Sequence, residues 1–583
     1  MAYEYFHDKG PNELKEDSGD LYIGYRIPQG ELGATTSVQT ANQIKEVTNL
    51  LNQGIKNIEI STISADVFEM IPKQHLKEIN RLTKLTGSET SLHAPVIDPS
   101  GFTQQGWNES NREVAENQFS NVMKNSHELN PDGNIPVTIH ASQIPGTTHM
   151  KDPVTGEMIA RSMVAVNQET GELRNLEREK IHFPDMQNIE AGEEFTPERR
   201  LKSANATHWE NQLSQLVFYK ERADELLDGN WPSIVGEKKE DYNEKQIISS
   251  QKVENANVYL HNAYQNVNSL FDQAYKNSDA DGKEKLKNAS DKFKVYWKKA
   301  ADEEGRLKNP AFFSGALQVL IGEMQNITQE TPPQIYKPIE DFATSKASQT
   351  LGNVAFKSWK EFGKNSPIVS IENPPYGSAI STAKDLRNLV DATRKQFVEK
   401  AKTEGYSESE AKEAAEKLIG ATWDTSHISM IRQHGFGKDT LIDEAKHIAP
   451  VVKHVHFNDN FGGSHTDLPA GMGTVPMKEI MGELEKGGAK GKKVFEGGQW
   501  FQHFQTSPHP VVMEAVGSPL YGMMAAPYWN QIRDTMGNYM LGHGEILPDQ
   551  HFSTYGSGFA TLPRELGGQM GGGQSRFSGA PNQ

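Results

Sequence analysis

The stretch from Pro367 to Asp459 contains three short apolar runs, which are PIVSIEN (367–373), LIGATWDTS (418–426) and VVKHVHFND (451–459). The segments beside these runs carry apolar residues at helical spacing, and they are 380–403, 407–417 and 438–449. Short strands that alternate with helices of this length are typical of βα units in a parallel sheet. The stretch therefore predicts three parallel strands and the helices that connect them.

The same alternation continues on both sides of this stretch. Upstream lie the four runs LYIGYRI (21–27), IKNIEIS (55–61), ETSLHAPV (89–96) and IPVTIHAS (135–142). Helical patterns lie between them at 37–54, 66–85 and 109–130. Downstream, a helical pattern at 476–487 precedes the run PVVMEAV (510–516). Four strands before the interruption and four after it make eight parallel βα units, which favour a closed (β/α)₈ TIM barrel over an open sheet.

A long insertion interrupts the barrel between Gly146 and Ser366. Residues 160–180 predict a β-hairpin around a glycine-containing turn. Helical spacing at 260–271 and 286–300 predicts a helical hairpin with its turn at 281–283, and 338–362 is predicted to return to the barrel as its fourth helix. The sequence thus predicts an α/β fold, a (β/α)₈ barrel with a large and mostly helical insertion after strand 4. Its segments are a polar leader (1–20), a first barrel half (21–146), the hairpin and helical insertion (147–335), a second barrel half (336–520) and a C-terminal extension with a Gly-rich tail (521–583).

Composition limits the chemistry. The 583 residues include 60 Lys and Arg against 77 Asp and Glu, a formal net charge of −17. This charge disfavours an unpatterned electrostatic attachment to nucleic acid or to an anionic membrane. The chain has no cysteine, so disulfides and thiolate ligands are excluded and any metal must be held by nitrogen and oxygen. A polar N-terminus and the lack of ~18 consecutive apolar residues predict a cytoplasmic protein.

Candidate metal ligands follow the predicted strands. Active sites of such barrels lie at the carboxyl ends of the strands, and six consecutive strands, the third to the eighth, end in His, Asp or Glu. These residues are His93, His140, Glu372, Asp424 with His427, His456 followed by His465 and Asp467, and Glu514. Each alone would read as a loop residue or a helix N-cap, but six together are costly to bury unless they bind something. Imidazole and carboxylate suit zinc, manganese or cobalt, whereas His454 is interpreted as a buried core histidine.

These residues in this order resemble the xylose isomerase-like TIM-barrel superfamily, which includes endonuclease IV and many sugar isomerases and epimerases. The resemblance covers about residues 21–145 and 335–520 and does not extend to the insertion or the tail. Endonuclease IV uses three zinc ions to activate a hydroxide and to hold the scissile phosphate. By this resemblance, His93 and His140 are ligands of one zinc, and Glu372 joins that zinc to a second. The other implied ligands of the second zinc are Asp424, His456 and Glu514.

The resemblance is altered at the implied third zinc. His427 is one implied ligand, and two more come from the loop after the seventh strand. The family order in that loop is Asp-x-His before Leu-x-x-Gly-x-Gly, whereas this chain reads His465-Thr466-Asp467-Leu468. We expect the loop to re-aim the exchanged pair so that the third metal is retained. In the alternative, Asp467 caps the following turn and His465 faces solvent.

The sugar-processing branch of the superfamily implies a simpler site. Its keto-sugar epimerases hold one metal through the positions of Glu372, Asp424, His456 and Glu514, and the two glutamates, Glu372 and Glu514, shuttle a proton. Manganese or magnesium would then replace zinc. The arginine that commonly follows the strand-7 histidine is missing here, and His93 and His140 would be superfluous as ligands.

Three hypotheses remain open on the sequence alone. The first is hydrolysis of phosphodiesters at abasic DNA sites through two or three zinc ions, with Glu372 and Glu514 as catalytic residues. The second is isomerisation or epimerisation of a small sugar or sugar phosphate. The third is a non-catalytic barrel that serves as an assembly scaffold, in which the insertion or the tail forms a homo-oligomer. No membrane partner is expected.

Overall fold

A computed structural model of the chain describes residues 31–497 and four isolated residues, Tyr25, Ile27, Val512 and Val516. The positions within 31–497 that it does not describe are 39, 63, 105, 153, 183, 185–189, 191, 302–307 and 490. The predicted leader (1–20) and tail (521–583) lie outside the described residues. Among the described helices, none is both long enough and apolar enough to cross a lipid bilayer.

Eight short parallel strands close into a barrel in chain order, which confirms the predicted fold class. The strands are β1 (Leu32–Thr35), β2 (Asn57–Ser61), β3 (Glu89–His93), β4 (Pro136–His140), β5 (Ile368–Glu372), β6 (Ile419–Asp424), β7 (Val452–His456) and β8 (Lys493–Phe495). Two additional short strands, Phe102–Thr103 and Gly106–Trp107, pair with each other after β3, and another strand, Thr148–Lys151, follows β4.

The helices between the strands closely follow the predicted segments. They are Gln43–Asn52, Ala65–Glu69, Lys73–Thr86, Glu109–Leu129, Ile339–Phe362, Ala383–Thr403, Glu408–Leu418, Thr425–Ser429, Lys438–Ile448 and Met477–Lys486. Short 3-10 helices lie at Gly363–Asn365, Met430–His434 and Ala449–Val451. The predicted helix at 66–85 is divided in two, because Pro72 has extended backbone and occupies the N-cap of the second part.

Two strand predictions are wrong. The first strand is Leu32–Thr35 rather than 21–27, and the eighth is Lys493–Phe495 rather than 510–516. Aromatic and β-branched residues attract a strand prediction, whereas β1 reads LGAT and β8 reads only KVF, which is too short to show a period. Glu514, which was placed at the end of the eighth strand, lies outside the described residues.

Strand β1 has no room for a side chain at Gly33. A Cβ at Gly33 would lie 2.7 Å from the backbone oxygen of Asn57 on β2 and 2.9 Å from the Cβ of Asn57. We expect Gly33→Ala to destabilise the barrel by about 1–3 kcal/mol, because the neighbouring strand must move. Gly482→Ala is the control, since its Cβ meets nothing within 4 Å in a helix, where alanine should stabilise by about 0.5–1 kcal/mol. Equal midpoints of denaturant unfolding for the two variants would contradict this explanation.

The barrel interior contains buried hydroxyl groups that satisfy one another. The hydroxyl groups of Thr138 and Thr422 lie 3.0 Å apart, and the Thr422 hydroxyl also donates to Ser370 Oγ at 2.8 Å. All three residues are fully buried. This part of the barrel interior is therefore filled by neutral side chains that hydrogen-bond to one another, and it contains these polar groups without any charge.

A second compact unit, Ala160–Ile339, lies in the connection between β4 and helix Ile339–Phe362, and overlaps the predicted insertion at 147–335. Strand Met158–Asn167 pairs antiparallel with Leu173–Glu177, which confirms the predicted hairpin, and with Tyr336–Pro338. Strands Glu179–Ile181 and Glu193–Phe195 also pair antiparallel. The helices are Pro197–Leu227, Glu244–Asn277, Ala280–Ala300 and Pro310–Glu330, with a 3-10 helix at Lys239–Asp241.

The four long helices of this second unit share one apolar core. Leu260 and Leu286, from the two predicted helical series, are buried in it, and the rings of Tyr264 and Trp297 stack at 5.1 Å. The predicted turn at 281–283 is wrong by a few residues. Asp279 caps helix Ala280–Ala300 by accepting a hydrogen bond from the Gly282 amide at 2.8 Å. Residues 281–283 therefore belong to the first turn of that helix.

Candidate metal centre

The parallel register of the barrel brings the predicted ligands side by side. His140 on β4 is the direct neighbour of Glu372 on β5, and Asp424 on β6 is the direct neighbour of His456 on β7. Each of these residues is the last of its strand, so their side chains gather at one rim. The register thus assembles four residues that are far apart in the chain.

Glu372 is the centre of the first group of ligands. Its carboxylate is fully buried, and its Oε2 lies 3.2 Å from His93 Nε2 and 3.4 Å from His140 Nδ1. Its Oε1 lies 2.6 Å from His456 Nδ1. One carboxylate therefore faces imidazoles from three other strands, as a carboxylate shared by two ions would.

Glu496 occupies the position that the sequence analysis gave to Glu514. It is the first residue after β8, and its carboxylate oxygens lie 3.5 Å from His93 Nε2 and 3.5 Å from His456 Nδ1. Its backbone amide donates to Asn458 Oδ1 at 3.0 Å. Pattern analysis missed Glu496 because its strand is only three residues long.

Asp424 has two roles, because it caps a helix and also faces the cluster. Its Oδ1 accepts hydrogen bonds from the amides of Ser426 and His427 at 2.7 and 2.8 Å, which caps helix Thr425–Ser429. Its Oδ2 accepts a hydrogen bond from Asn458 Nδ2 at 2.6 Å and lies 3.9 Å from His456 Nδ1. The same Asn458 amide lies 3.3 Å from Glu496 Oε2, so it holds two acidic side chains in place.

The exchanged pair of the seventh loop approaches His427. His427 Nε2 and His465 Nε2 are 2.8 Å apart, and His465 Nε2 lies 3.8 Å from Asp467 Oδ1. The Ser426 hydroxyl donates to Asp467 Oδ1 at 2.8 Å, so the Asp467 side chain lies beside the residue that precedes His427. The structure therefore brings together the three side chains that the sequence analysis assigned to a third metal.

Hydrogen bonds to the backbone of the loop after β7 explain how the side chains of His465 and Asp467 can approach each other. The side-chain amide of Asn460 donates to the carbonyl oxygens of Ser464 and Thr466 at 2.7 and 3.0 Å. Asp459 and Leu468 exchange two backbone hydrogen bonds, of 2.8 and 3.0 Å. Together these contacts fold the loop back on itself, so the chain between them is not extended. Exchange of the two ligand types is thus compatible with a common target.

The hydrogen bonds of the histidines leave ring nitrogens available to a metal. His93 Nδ1 lies 2.9 Å from the carbonyl oxygen of Ala94, and His427 Nδ1 lies 2.7 Å from that of Asn373. A ring that donates through Nδ1–H presents the lone pair of Nε2. His140 Nδ1 is buried and makes no hydrogen bond within the described part of the chain. His140 thus has a buried nitrogen without a hydrogen bond among the described residues, and the Nε2 atoms of His93 and His427 each approach another proposed ligand, as metal ligands would.

Burial and charge set the protonation of this cluster. Burial lowers the pKa of His140 to about 3, and it raises the pKa of Glu496 to about 8. Burial also opposes ionisation of Glu372, but His456 and His140 face that carboxylate and hold its pKa well below its ordinary value. Burial opposes protonation of His93, although its hydrogen bond with Glu372 raises its pKa to about 9. A neutral imidazole at His140 thus lies beside an ionised carboxylate at Glu372, the forms in which both bind metals.

Glu59 is a buried carboxylate that the sequence analysis missed. It lies in the middle of β2, and its carboxylate is 3.1 Å from His456 Nε2 and 3.0 Å from His454 Nε2. His454 is fully buried, which confirms its interpretation as a core histidine. The signal for Glu59 is a carboxylate within the apolar run IKNIEIS, since an acidic residue is rarely buried without partners.

A protein-family match covers part of this barrel. Residues 369–504 match the family described as xylose isomerase-like TIM barrel. A solved structure described as a D-tagatose 3-epimerase-like protein has 11% sequence identity and a TM-score of 0.35, and the match covers 83% of this chain and 99% of that chain. No curated protein matches the chain.

The family match covers the strands that carry most of the site. It includes β5 to β8 and the residues Glu372, Asp424, His427, His456, His465, Asp467 and Glu496. The match supports the prediction that the chain is an enzyme. The second half of this closed parallel barrel is therefore similar to the xylose isomerase-like TIM-barrel family.

Proposed function

We propose that this chain is a metal-dependent phosphodiester hydrolase of the endonuclease IV kind, with abasic-site DNA as its substrate. The observation that carries the proposal is the approach of His427, His465 and Asp467 to one another beside the Glu372 cluster. A sugar epimerase that holds a single metal has no use for this additional set of ligands. Three groups of ligands at one rim instead suit a site for several ions.

The proposed ligands fall into three groups. His93, His140 and Glu372 would hold the first ion, and His427, His465 and Asp467 would hold the third. Glu372, Asp424, His456 and Glu496 would hold the second, with Glu496 in place of Glu514. When bound, zinc ions would supply an activated water and would stabilise the attacking and leaving oxygens of the phosphodiester.

The protein's own contribution is to fix the ligands before substrate arrives. Asp424 is held by two backbone amides and by Asn458, which also contacts Glu496. The Ser426 hydroxyl fixes Asp467. Each carboxylate is therefore oriented by hydrogen bonds from groups that are not themselves ligands, which is the arrangement that keeps a metal site rigid.

A sugar isomerase or epimerase is the second candidate. The observation that favours it is that Glu372, Asp424, His456 and Glu496, a sufficient set for one ion, all lie within the matched family segment. In this reading Glu372 and Glu496 are the two glutamates that move a proton, and manganese or magnesium replaces zinc. The formal net charge of −17 also suits a small sugar better than a long polyanion.

Two measurements on the purified full chain separate these candidates. We expect elemental analysis to find at least two equivalents of transition metal, and we expect cleavage of a duplex that contains one synthetic abasic residue. The same preparation is incubated with 2-ketohexoses in deuterated water, and deuterium at carbon 3 is measured. Incision without deuterium incorporation supports the hydrolase. Incorporation without incision would instead establish the epimerase, and an absence of metal would return attention to the scaffold hypothesis.

His465→Ala sharpens this experiment, because only the hydrolase needs the third group of ligands. The variant should lose about one metal equivalent and most of its incision activity, since the third ion would have lost one of three protein ligands. His447→Ala is the matched control, because the His447 ring is exposed on helix Lys438–Ile448 and its Nδ1 lies 2.7 Å from the Asp443 carbonyl oxygen of its own helix. Full incision by the His465 variant would contradict a role for the third group.

A further inference from the structure

We infer that Glu59 is a positioning residue that fixes the ring of His456 so that its Nδ1 faces the metal centre. Glu59 lies on β2, and its fully buried side chain approaches the proposed ligand His456. Its Oε1 lies 3.1 Å from His456 Nε2, while Nδ1 of the same ring lies 2.6 Å from Glu372 Oε1. The imidazole therefore lies between two carboxylates, one on each side.

The two nitrogens of His456 must have different roles once a metal is bound. A ring nitrogen can bind a metal only after it has lost its proton, and the other nitrogen then carries the N–H. The Nδ1 side is the side of the proposed ligands Glu372, Asp424 and Glu496. The proton must therefore remain on Nε2, and this Nε2–H group donates a hydrogen bond to Glu59 Oε1. Glu59 thus selects the tautomer that binds metal and prevents rotation of the ring.

The surroundings of Glu59 indicate that it acts as an acceptor and not as a ligand. Its Oε1 accepts from His456, and its Oε2 accepts from His454 Nε2 at 3.0 Å and from the Ser91 hydroxyl at 2.8 Å. Both oxygens are thus already engaged by donors. His454 and Ser91 hold the carboxylate beside His456 through Oε2, which also gives the buried His454 a function.

The cost of burying Glu59 also favours a specific role. A buried carboxylate is expensive unless it is fully hydrogen-bonded, and nearby positions of the barrel interior are filled by neutral hydroxyl groups such as those of Thr138 and Thr422. The fold itself therefore does not require a charge in the barrel core. The carboxylate at this position is explained by the ligand that it orients.

Glu59→Gln tests this inference in the full chain. The amide keeps the size of the side chain but replaces one of the two oxygens with a donor NH2 group. Because His456 and His454 approach different oxygens of Glu59, one of the two rings would then face a donor instead of an acceptor. We expect the affinity for Zn²⁺, measured by competition with a chromophoric chelator, to fall about tenfold to a hundredfold. Glu59→Asp keeps both oxygens and should lose less affinity. Thermal unfolding with all metal removed shows whether the apoprotein of each variant is folded.

Thr138→Val is the matched control, because it removes a buried hydrogen bond from the same barrel interior without touching a proposed ligand. Its Zn²⁺ affinity should equal that of the wild type. Unchanged Zn²⁺ affinity in Glu59→Gln, or an equal loss in Thr138→Val, would overturn the inference. The inference rests on the metal centre of the proposed function, so a wild type that binds no Zn²⁺ overturns both. Zinc binding that depends on Glu59 without incision of DNA would overturn only the hydrolase.

Discussion

Glutamine in place of Glu372 should remove metal from two positions of the barrel at once. The metal content should fall by about two equivalents, because Glu372 faces His93, His140 and His456, and an amide is a poor ligand compared with a carboxylate. Incision of abasic DNA should fall by more than about a thousandfold, since both ions would be displaced. Elemental analysis and single-turnover cleavage measure the two effects.

His93→Ala is the comparison for this variant. The same atom of His93, Nε2, approaches both Glu372 and Glu496, and one ring nitrogen binds one ion. The loss of His93 should therefore weaken the binding of one ion and leave the others bound. The glutamine variant should also remain folded, because it preserves the volume of a fully buried side chain. If the variants at 372 and 93 lose the same amount of metal, Glu372 does not join two ions.

The second large effect is expected at the end of β8. Glu496→Gln should lower the metal content by about one equivalent and reduce activity by about a hundredfold or more, because the second ion would lose a carboxylate ligand. Glu496 approaches both His93 and His456, and Asn458 orients it. Metal analysis and turnover with the better of the two substrates, abasic DNA or ketose, measure the result.

Glu514→Gln provides a direct comparison between the structure and the sequence pattern. The sequence pattern assigns the eighth strand to 510–516, whereas the barrel is closed by Lys493–Phe495. If the variant at 514 lost metal while the variant at 496 retained it, the assignment of Glu496 would be overturned. Both substitutions are isosteric, so the comparison depends on ligand chemistry and not on packing.

Most of the barrel could be predicted because short apolar runs, separated by helical patterns, mark where the strands lie. His93, His140, Glu372, Asp424 and His456 each terminate a strand that begins within three residues of its predicted position. Parallel pairing then requires these ends to meet at one rim. The site could therefore be predicted wherever a strand was long enough to show its period.

The remaining features depend on contacts that a local pattern does not contain. Strand β8 has three residues, and β1 relies on the lack of a side chain at Gly33, so neither has a typical strand composition. Glu59 lies inside a strand, and its role depends on His454 and His456, almost four hundred residues away. The loop that joins His465 to His427 is shaped by Asn460, whose side chain bonds to backbone oxygens. Such tertiary contacts override local propensity.

The pairing of the first and last strands of the second unit has a consequence for how the barrel assembles. Ala165 lies opposite Pro338 in that pair, so the unit's entering and departing chains run side by side. The entropy lost on closing a loop grows with the number of residues that remain free between its ends. Once the second unit has folded, the connection from β4 to helix Ile339–Phe362 passes through two chain segments that lie side by side, and no longer through a long flexible loop. Formation of the hairpin and its partner strand thus lowers the entropic barrier to joining the two halves of the barrel.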